Sequence, residues 1–295
     1  MALVELASGD LRAVVVPEIG GAIATLRWKD LDILRPAPPE ALAEKRVRAM
    51  GCYPLVPYSN RIGHGRLRAG SRIYALRPNF APEPHAIHGV GWQRAWRVAE
   101  STPSSAVLTL SQAPDADWPF RFTARQSFVL EGSRLTAGLE IRNEDDAAFP
   151  AGLGFHPFFP APRGTRLRTR WEGWWVLDES KLPVSRGPVP PEADFSTERA
   201  IDGWRVDNPF HGWGREATLT YATHATRLAA SEALDHAVAF APGDGREFLA
   251  LEPVSHTIDA FRLAADGVAG TGTRLLSPGE SWRVSMTIEA GPPPK

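Results

Sequence analysis

Phe128-Val-Leu-Glu-Gly-Ser-Arg-Leu-Thr-Ala-Gly-Leu-Glu-Ile-Arg-Asn143 reads as two strand-like runs joined across Glu131-Gly132-Ser133, the short connection of an antiparallel hairpin. The same punctuation extends in both directions. Toward the N-terminus, runs at 11–16 and 22–28 are split by Pro17 and the Gly20-Gly21 pair, which reads as an opening hairpin, and 31–34 can add a further short strand. Similar runs occur at 72–76, 96–99, 106–111, 121–130, 217–221, 237–241, 247–251 and 282–289. Many short strands with few helices predict an all-β antiparallel sandwich or barrel, not an alternating βαβ fold. The clearest helical stretch is Glu40 to Met50, rich in Ala, Leu, Glu, Lys and Arg after Pro38-Pro39, with Gly51 as its stop. Residues 178–199, rich in Pro, Ser and charge, are expected to be a surface excursion. Residues 1–290 are expected to form a single domain and 291–295 a tail.

Composition removes several function classes. The 295 residues carry 33 basic and 34 acidic side chains, a net charge of −1, so no field attracts nucleic acid or an anionic membrane. Cys52 is the only cysteine, which rules out an intramolecular disulfide and a CxxC redox or zinc motif. The N-terminal stretch Met1 to Arg12, with Glu5 and Asp10, does not read as a signal peptide, and no run approaches 18 apolar residues. A cytoplasmic, soluble, monomeric protein is expected. Ten tryptophans could offer flat faces to a sugar, but large β-domains mostly use tryptophan as core filling.

Five places can carry chemistry. In Ala151-Gly-Leu-Gly-Phe-His-Pro-Phe-Phe-Pro160, His156 follows two glycines that allow close approach of backbone or ligand, and precedes a proline that fixes φ. An imidazole so aimed is a candidate acid or base; the competing reading is a core histidine bonded to a carbonyl. Glu252 ends the apolar run Phe248-Leu-Ala-Leu-Glu252, an expensive place for a carboxylate unless it is salt-bridged or functional. Asn60 and Arg61 lie in the loop Pro57-Tyr-Ser-Asn-Arg-Ile62, suited to a hydroxyl-rich ligand or to tying down the loop. His85 and His88 have a three-residue spacing, but no local cysteine or carboxylate completes a metal site; His88, beside Gly89, Gly91 and Trp92, reads better as a hydrogen-bonding group in a cleft. Asp207, before Asn208-Pro209, can accept a hydroxyl or serve as a turn aspartate.

Taken in order, Gly20-Gly21, Asn60-Arg61-Ile62, His88-Gly89 with Gly91-Trp92, Gly154-Phe-His-Pro-Phe-Phe159, Asp207 with Phe210, and Leu251-Glu-Pro253 with Asp259-Ala-Phe261 resemble the aldose 1-epimerase family, also called galactose mutarotases. Phe158 stands where the family more often has tyrosine, and Ile258 where proline is common. Glu252-Pro-Val-Ser-His256 looks more like the broad bacterial branch that includes hexose-phosphate epimerases. The resemblance implies a large antiparallel β-sandwich with few short helices, whose open cleft binds a monosaccharide and exchanges its anomers without metal or organic cofactor. It implies His156 as general acid and Glu252 as general base, with Asn60, Arg61, His88 and Asp207 binding the sugar. Glu252 is then expected ionised and His156 at least partly protonated at rest. Other readings are a hexose-6-phosphate 1-epimerase, a non-catalytic monosaccharide-binding module, a glycoside hydrolase using two carboxyl groups, and a cupin-like metal enzyme.

Overall fold

Strands Phe122–Glu131 and Arg134–Asn143 pair antiparallel along their whole length in the computed structural model, which describes residues 2–294. Met1 of the N-terminal stretch and Lys295 of the expected tail lie outside the described residues. Gly132 turns the hairpin at a φ of 59°, a conformation that glycine adopts without a Cβ clash. Phe122, Ala124, Phe128 and Leu130 alternate into the core, as do Leu135, Ala137, Leu139 and Ile141 on the partner, which is the period-two burial of a one-sided sheet.

This hairpin is the centre of one wall. The nine-stranded sheet runs Arg97–Ser101, Ser105–Gln112, Phe122–Glu131, Arg134–Asn143, Ser281–Gly291, Ala225–Ala230, Glu216–Thr220, Arg166–Thr169, Arg199–Ala200. An eight-stranded sheet forms the second wall, in the order Pro183–Gly187, Gly173–Leu177, Val206–His211, His236–Ala241, Phe248–Val254, Gly154–Phe155, Pro54–Leu55, with Phe158–Pro160 also on Phe248–Val254. Leu139 and Met286 of the first wall and Phe155, Leu249 and Leu251 of the second belong to one buried cluster, so the two walls form a sandwich. A four-stranded sheet, Val4–Ser8, Leu11–Val16, Ala22–Trp28 and Leu31–Asp32, contains the expected opening hairpin plus an edge strand before it.

Four expectations change. The Glu40–Met50 helix shrinks to Pro39–Ala43 and a separate 3-10 turn at Val47–Ala49. Only Ala41 of the first turn is buried, and Lys45 takes a φ of 53°, which ends the helix; propensity alone does not sustain so short a helix without an apolar face to pack. A second helix, Ala260–Ala265, forms where none is marked, burying Ala260, Phe261 and Leu263. The 178–199 excursion contains the edge strand Pro183–Gly187 and anchors itself through buried Leu182, Ala193 and Phe195. The tail begins inside a strand, since Ser281–Gly291 runs through Gly291.

The two glycines before His156 are close-approach positions. A Cβ on Gly152 would lie 1.8 Å from Cδ2 of His256, and one on Gly154 would lie 2.8 Å from the Pro253 carbonyl oxygen. His256 Nε2 accepts the Ser59 N–H at 3.0 Å and its Nδ1 lies 2.6 Å from the Thr257 oxygen, so the ring is pinned at both ends. Gly152→Ala should therefore cost about 1–3 kcal/mol, as core overpacking does, read as a lower urea midpoint with unchanged slope. An unchanged midpoint would show that the His256 ring can move aside.

Candidate active site

Strand register brings the acid–base candidates together. Gly154 pairs with Val254 and Phe158 with Ala250, which sets His156 opposite Glu252 across the gap between the short strands. His156 Nε2 lies 3.2 Å from Glu252 Oε1, and both side chains are more than nine-tenths buried. The His156 N–H donates to the Tyr53 carbonyl at 3.0 Å and the Phe158 N–H to the Gly51 carbonyl at 2.8 Å, so the loop is tied on both sides of the imidazole. Desolvation pushes Glu252 well above the usual carboxylate range, with the Asp207 charge adding to it and Arg61 opposing. Desolvation also pulls His156 well below its ordinary value, reinforced by His88 and Arg35. Both shifts favour the neutral forms of the pair, opposite in direction to the ionisation expected from the sequence. Among the described residues, His156 Nδ1 and Glu252 Oε2 have no hydrogen-bond partner.

The polar residues from the first half of the chain form the next part of the lining. Arg61 donates from Nε and Nη2 to Glu83 at 2.6 and 2.8 Å, a bidentate pair, and its Nη2 lies 3.9 Å from Asp207 Oδ2. Asn60 Oδ1 accepts both the Arg61 N–H and Nη1, at 3.0 and 3.1 Å. The Asn60 N–H donates to His88 Nδ1 at 3.0 Å, which places the ring proton on Nε2. Burial and the Arg61 charge push His88 down to about 3, so it is a neutral N–H donor. Asn60, His88 and Asp259 hold φ values of 56°, 63° and 51°, uncommon for residues with a Cβ. Asp259 braces them: its N–H donates to the Arg61 carbonyl at 2.8 Å, while its carboxylate accepts the Gly63 N–H at 2.9 Å and Arg262 Nε at 2.5 Å. Asp207 is about one-third exposed and lies 3.7 Å from Lys181 Nζ.

His156, Glu252, Asn60, Arg61, Glu83, His88 and Asp207 line one cleft of about 490 Å³ together with Arg35, Arg48, Tyr53 and the rings of Phe80, Phe158, Phe240 and Phe248. The sequence pattern of the aldose 1-epimerase family matches residues 2–289. The chain belongs to the aldose 1-epimerase family. Two proteins of Escherichia coli (strain K12), both described as uncharacterized, are similar over nearly their full lengths: YphB is 28% identical over 304 residues, covering 98% of each chain, and YihR is 26% identical over 296 residues, covering 97% of this chain and 92% of its own. Among solved structures, an aldose 1-epimerase candidate from Escherichia coli K12 superposes with a TM-score of 0.89 at 26% identity over 99% of both chains. A galactose mutarotase-like protein from Clostridium acetobutylicum gives 0.87 at 20% identity over 98% of this chain and 94% of its own, a likeness of fold.

Among the described residues no tryptophan lines the cleft, which agrees with the core role that composition favours. Trp118, Trp175 and Trp213 are fully buried core, and Trp92 stacks beneath Tyr53 at 5.6 Å. His85 and His88 part company, since His85 Nδ1 accepts the His64 N–H at 2.9 Å and its Nε2 lies 3.0 Å from the Ser180 carbonyl oxygen. No group of three or more His, Cys, Asp or Glu among the described residues could hold a metal ion, and no helix among them is long and apolar enough to cross a membrane. Glu83, Tyr53 and Arg35 are cleft residues that sequence reasoning missed. The run Ala81-Pro-Glu-Pro84 gives no local sign that its carboxylate meets Arg61.

Three buried imidazoles titrate below their ordinary range because burial disfavours the cation: His156, His88 (about 3) and His256 (about 4). In the unfolded chain each returns to about 6.5 and binds protons that the folded state refuses, so the stability these three rings contribute is complete above pH 6.5 and is lost as pH falls toward the folded values, outweighing the opposite trend of the single Glu252 carboxyl. The urea midpoint should therefore decline between pH 6.5 and 5, before most carboxylates titrate. A midpoint constant across that window would contradict neutral burial of these rings.

Proposed function

We propose that this chain interconverts the α and β anomers of an aldohexose by acid–base ring opening, with Glu252 exchanging the proton of the anomeric hydroxyl and His156 that of the ring oxygen. The observation that carries this reading is the 3.2 Å contact of His156 Nε2 and Glu252 Oε1 in the lining of an open, polar cleft. One proton is shared between the two groups that meet at that contact. In the tautomer with carboxylate and imidazolium, Glu252 removes the O1 proton while His156 protonates O5; the C1–O5 bond breaks and C1=O1 forms. The pair is then the neutral carboxyl and imidazole, the state that desolvation favours in the unliganded cleft. Rotation about C1–C2 presents the other carbonyl face. O5 then attacks C1, its proton passes to His156, and Glu252 returns its proton to O1, which restores the starting tautomer.

The surrounding groups suit a polyol. His88 Nε2–H and the Asn60 amide N–H groups are donors, Asp207 is an acceptor, and Arg61 is a fixed cation whose charge favours ionised Glu252. Tyr53 and Phe158 flank the imidazole at ring-centroid distances of 4.6 and 4.4 Å, offering apolar faces to C–H groups.

Positioned proton-transfer groups contribute about 10² to 10⁴-fold each. Glu252→Gln and His156→Asn should each lower kcat by that order in anomeric exchange followed by NMR or polarimetry. Glu252→Gln should also hold or raise the thermal midpoint above neutral pH. A carboxyl with a raised folded pKa destabilises the folded state as pH rises from about 4.5 through that value, and an amide removes this penalty while still able to donate to Nε2. Full activity in either variant would dismiss the assignment.

A further inference from the structure

Charge is matched on one side of the cleft and unmatched on the other. Arg61 is clamped by Glu83 and approached by Asp207. Arg35 and Arg48 line the same cleft, yet neither has a carboxylate within 4.0 Å among the described residues. One Nη of Arg35 donates to the Arg48 and Met50 carbonyls at 2.9 and 3.1 Å, which fixes the guanidinium and leaves its Nε and other Nη without acceptors among the described residues. The Arg35 guanidinium carbon rests 4.0 Å from the Phe158 ring centroid and 4.7 Å from that of Phe248; Arg48 lies 4.4 Å from Phe80, and Arg246 5.4 Å from Phe248. Arg246 has its own partner, Asp244 at 2.8 Å, outside the cleft lining. Phe158 also stacks on His156, so a single ring touches both the catalytic pair and the arginine group.

A half-buried guanidinium without a counter-ion is a costly arrangement in a folded protein. Burial pulls Arg35 down to about 10, and the Arg246 charge acts in the same direction. We infer that Arg35, Arg48 and Arg246 form an anion subsite, and that the substrate is an aldose carrying a phosphate, sulfonate or carboxylate group at the end remote from its anomeric carbon. The orientation rests on the proposed roles of His156 and Glu252; the anion subsite does not. Guanidinium forks match paired anionic oxygens, and the phenylalanines behind them limit the water that would screen the contact. A neutral hydroxymethyl group would leave the half-buried Arg35 charge uncompensated.

The test compares glucose, glucose 6-phosphate, 6-deoxy-6-sulfoglucose and glucuronate as substrates of the wild-type protein, Arg48→Gln and Arg35→Gln, by NMR anomeric exchange and by calorimetric binding. At least one anionic sugar should exceed glucose in kcat/KM by about tenfold or more, and the preferred anion names the group. Both variants should shrink that ratio. Arg48 is exposed and its side chain makes no hydrogen bond among the described residues, so Arg48→Gln remains informative if Arg35→Gln fails to fold. Glucose equal to or better than all three, or a ratio unmoved by Arg48→Gln, overturns the subsite. If no sugar exchanges anomers, the proposed function falls and binding decides separately: tighter binding of an anionic sugar, weakened by Arg48→Gln, sustains the subsite, and equal binding of all four overturns it.

Discussion

The Glu252 carboxyl and the His156 imidazole meet where almost no water reaches them, so each loses hydration that their mutual contact only partly replaces. A fold can keep such a pair only if it cannot relax away from it. Here Glu252 lies in a strand whose seven residues are all buried, flanked by His236–Ala241 on one edge and by the two short strands around His156 on the other. Backing out either side chain would mean breaking a sheet. The low dielectric that makes the pair costly also makes the position of its proton sensitive to what enters the cleft.

The other groups in the cleft are controlled by backbone rather than by packing. Asn60, His88 and Asp259 all occupy the left-handed region, and each is bonded to another member of the same cluster: Asn60 to His88, Asn60 to Arg61, Asp259 to Arg61. Local strain is thus held by a run of hydrogen bonds from His88 through Asn60 and Arg61 to Asp259, complete only when distant parts of the chain have met, and the orientation of the His88 N–H and the Arg61 fork follows from it.

The fold was readable because antiparallel strands punctuated by glycine and proline leave a local record, and the 128–143 hairpin agrees with its observed register. The short helix at Pro39–Ala43 shows the limit: high propensity across Glu40–Met50 could not reveal that only Ala41 has a core to face. In the cleft, His156, Glu252, Asn60, Arg61, His88 and Asp207 were visible from unusual local settings, and the chain brings all six together. Glu83 and Arg35 were not, since a carboxylate in a proline loop and an arginine before Pro36 gain their meaning only from partners far along the chain. The ionisation of His156 was misjudged for a related reason. Coulomb attraction to a carboxylate can be guessed from composition, whereas loss of solvent is a property of the assembled sandwich.

Strand Ser281–Gly291 lies between Arg134–Asn143 and Ala225–Ala230, so without it the nine-stranded wall is two separate pieces. Of all these strands it is the last to leave the ribosome. Until it arrives, the nascent chain presents two open edges, each with unpaired amides and carbonyls and with apolar side chains such as Leu139 and Leu228 beside them. The sandwich is sealed from its end, not from its beginning. The wall can close only once that strand has emerged, and the interval before its insertion is when nascent copies are most able to stick to one another edge to edge.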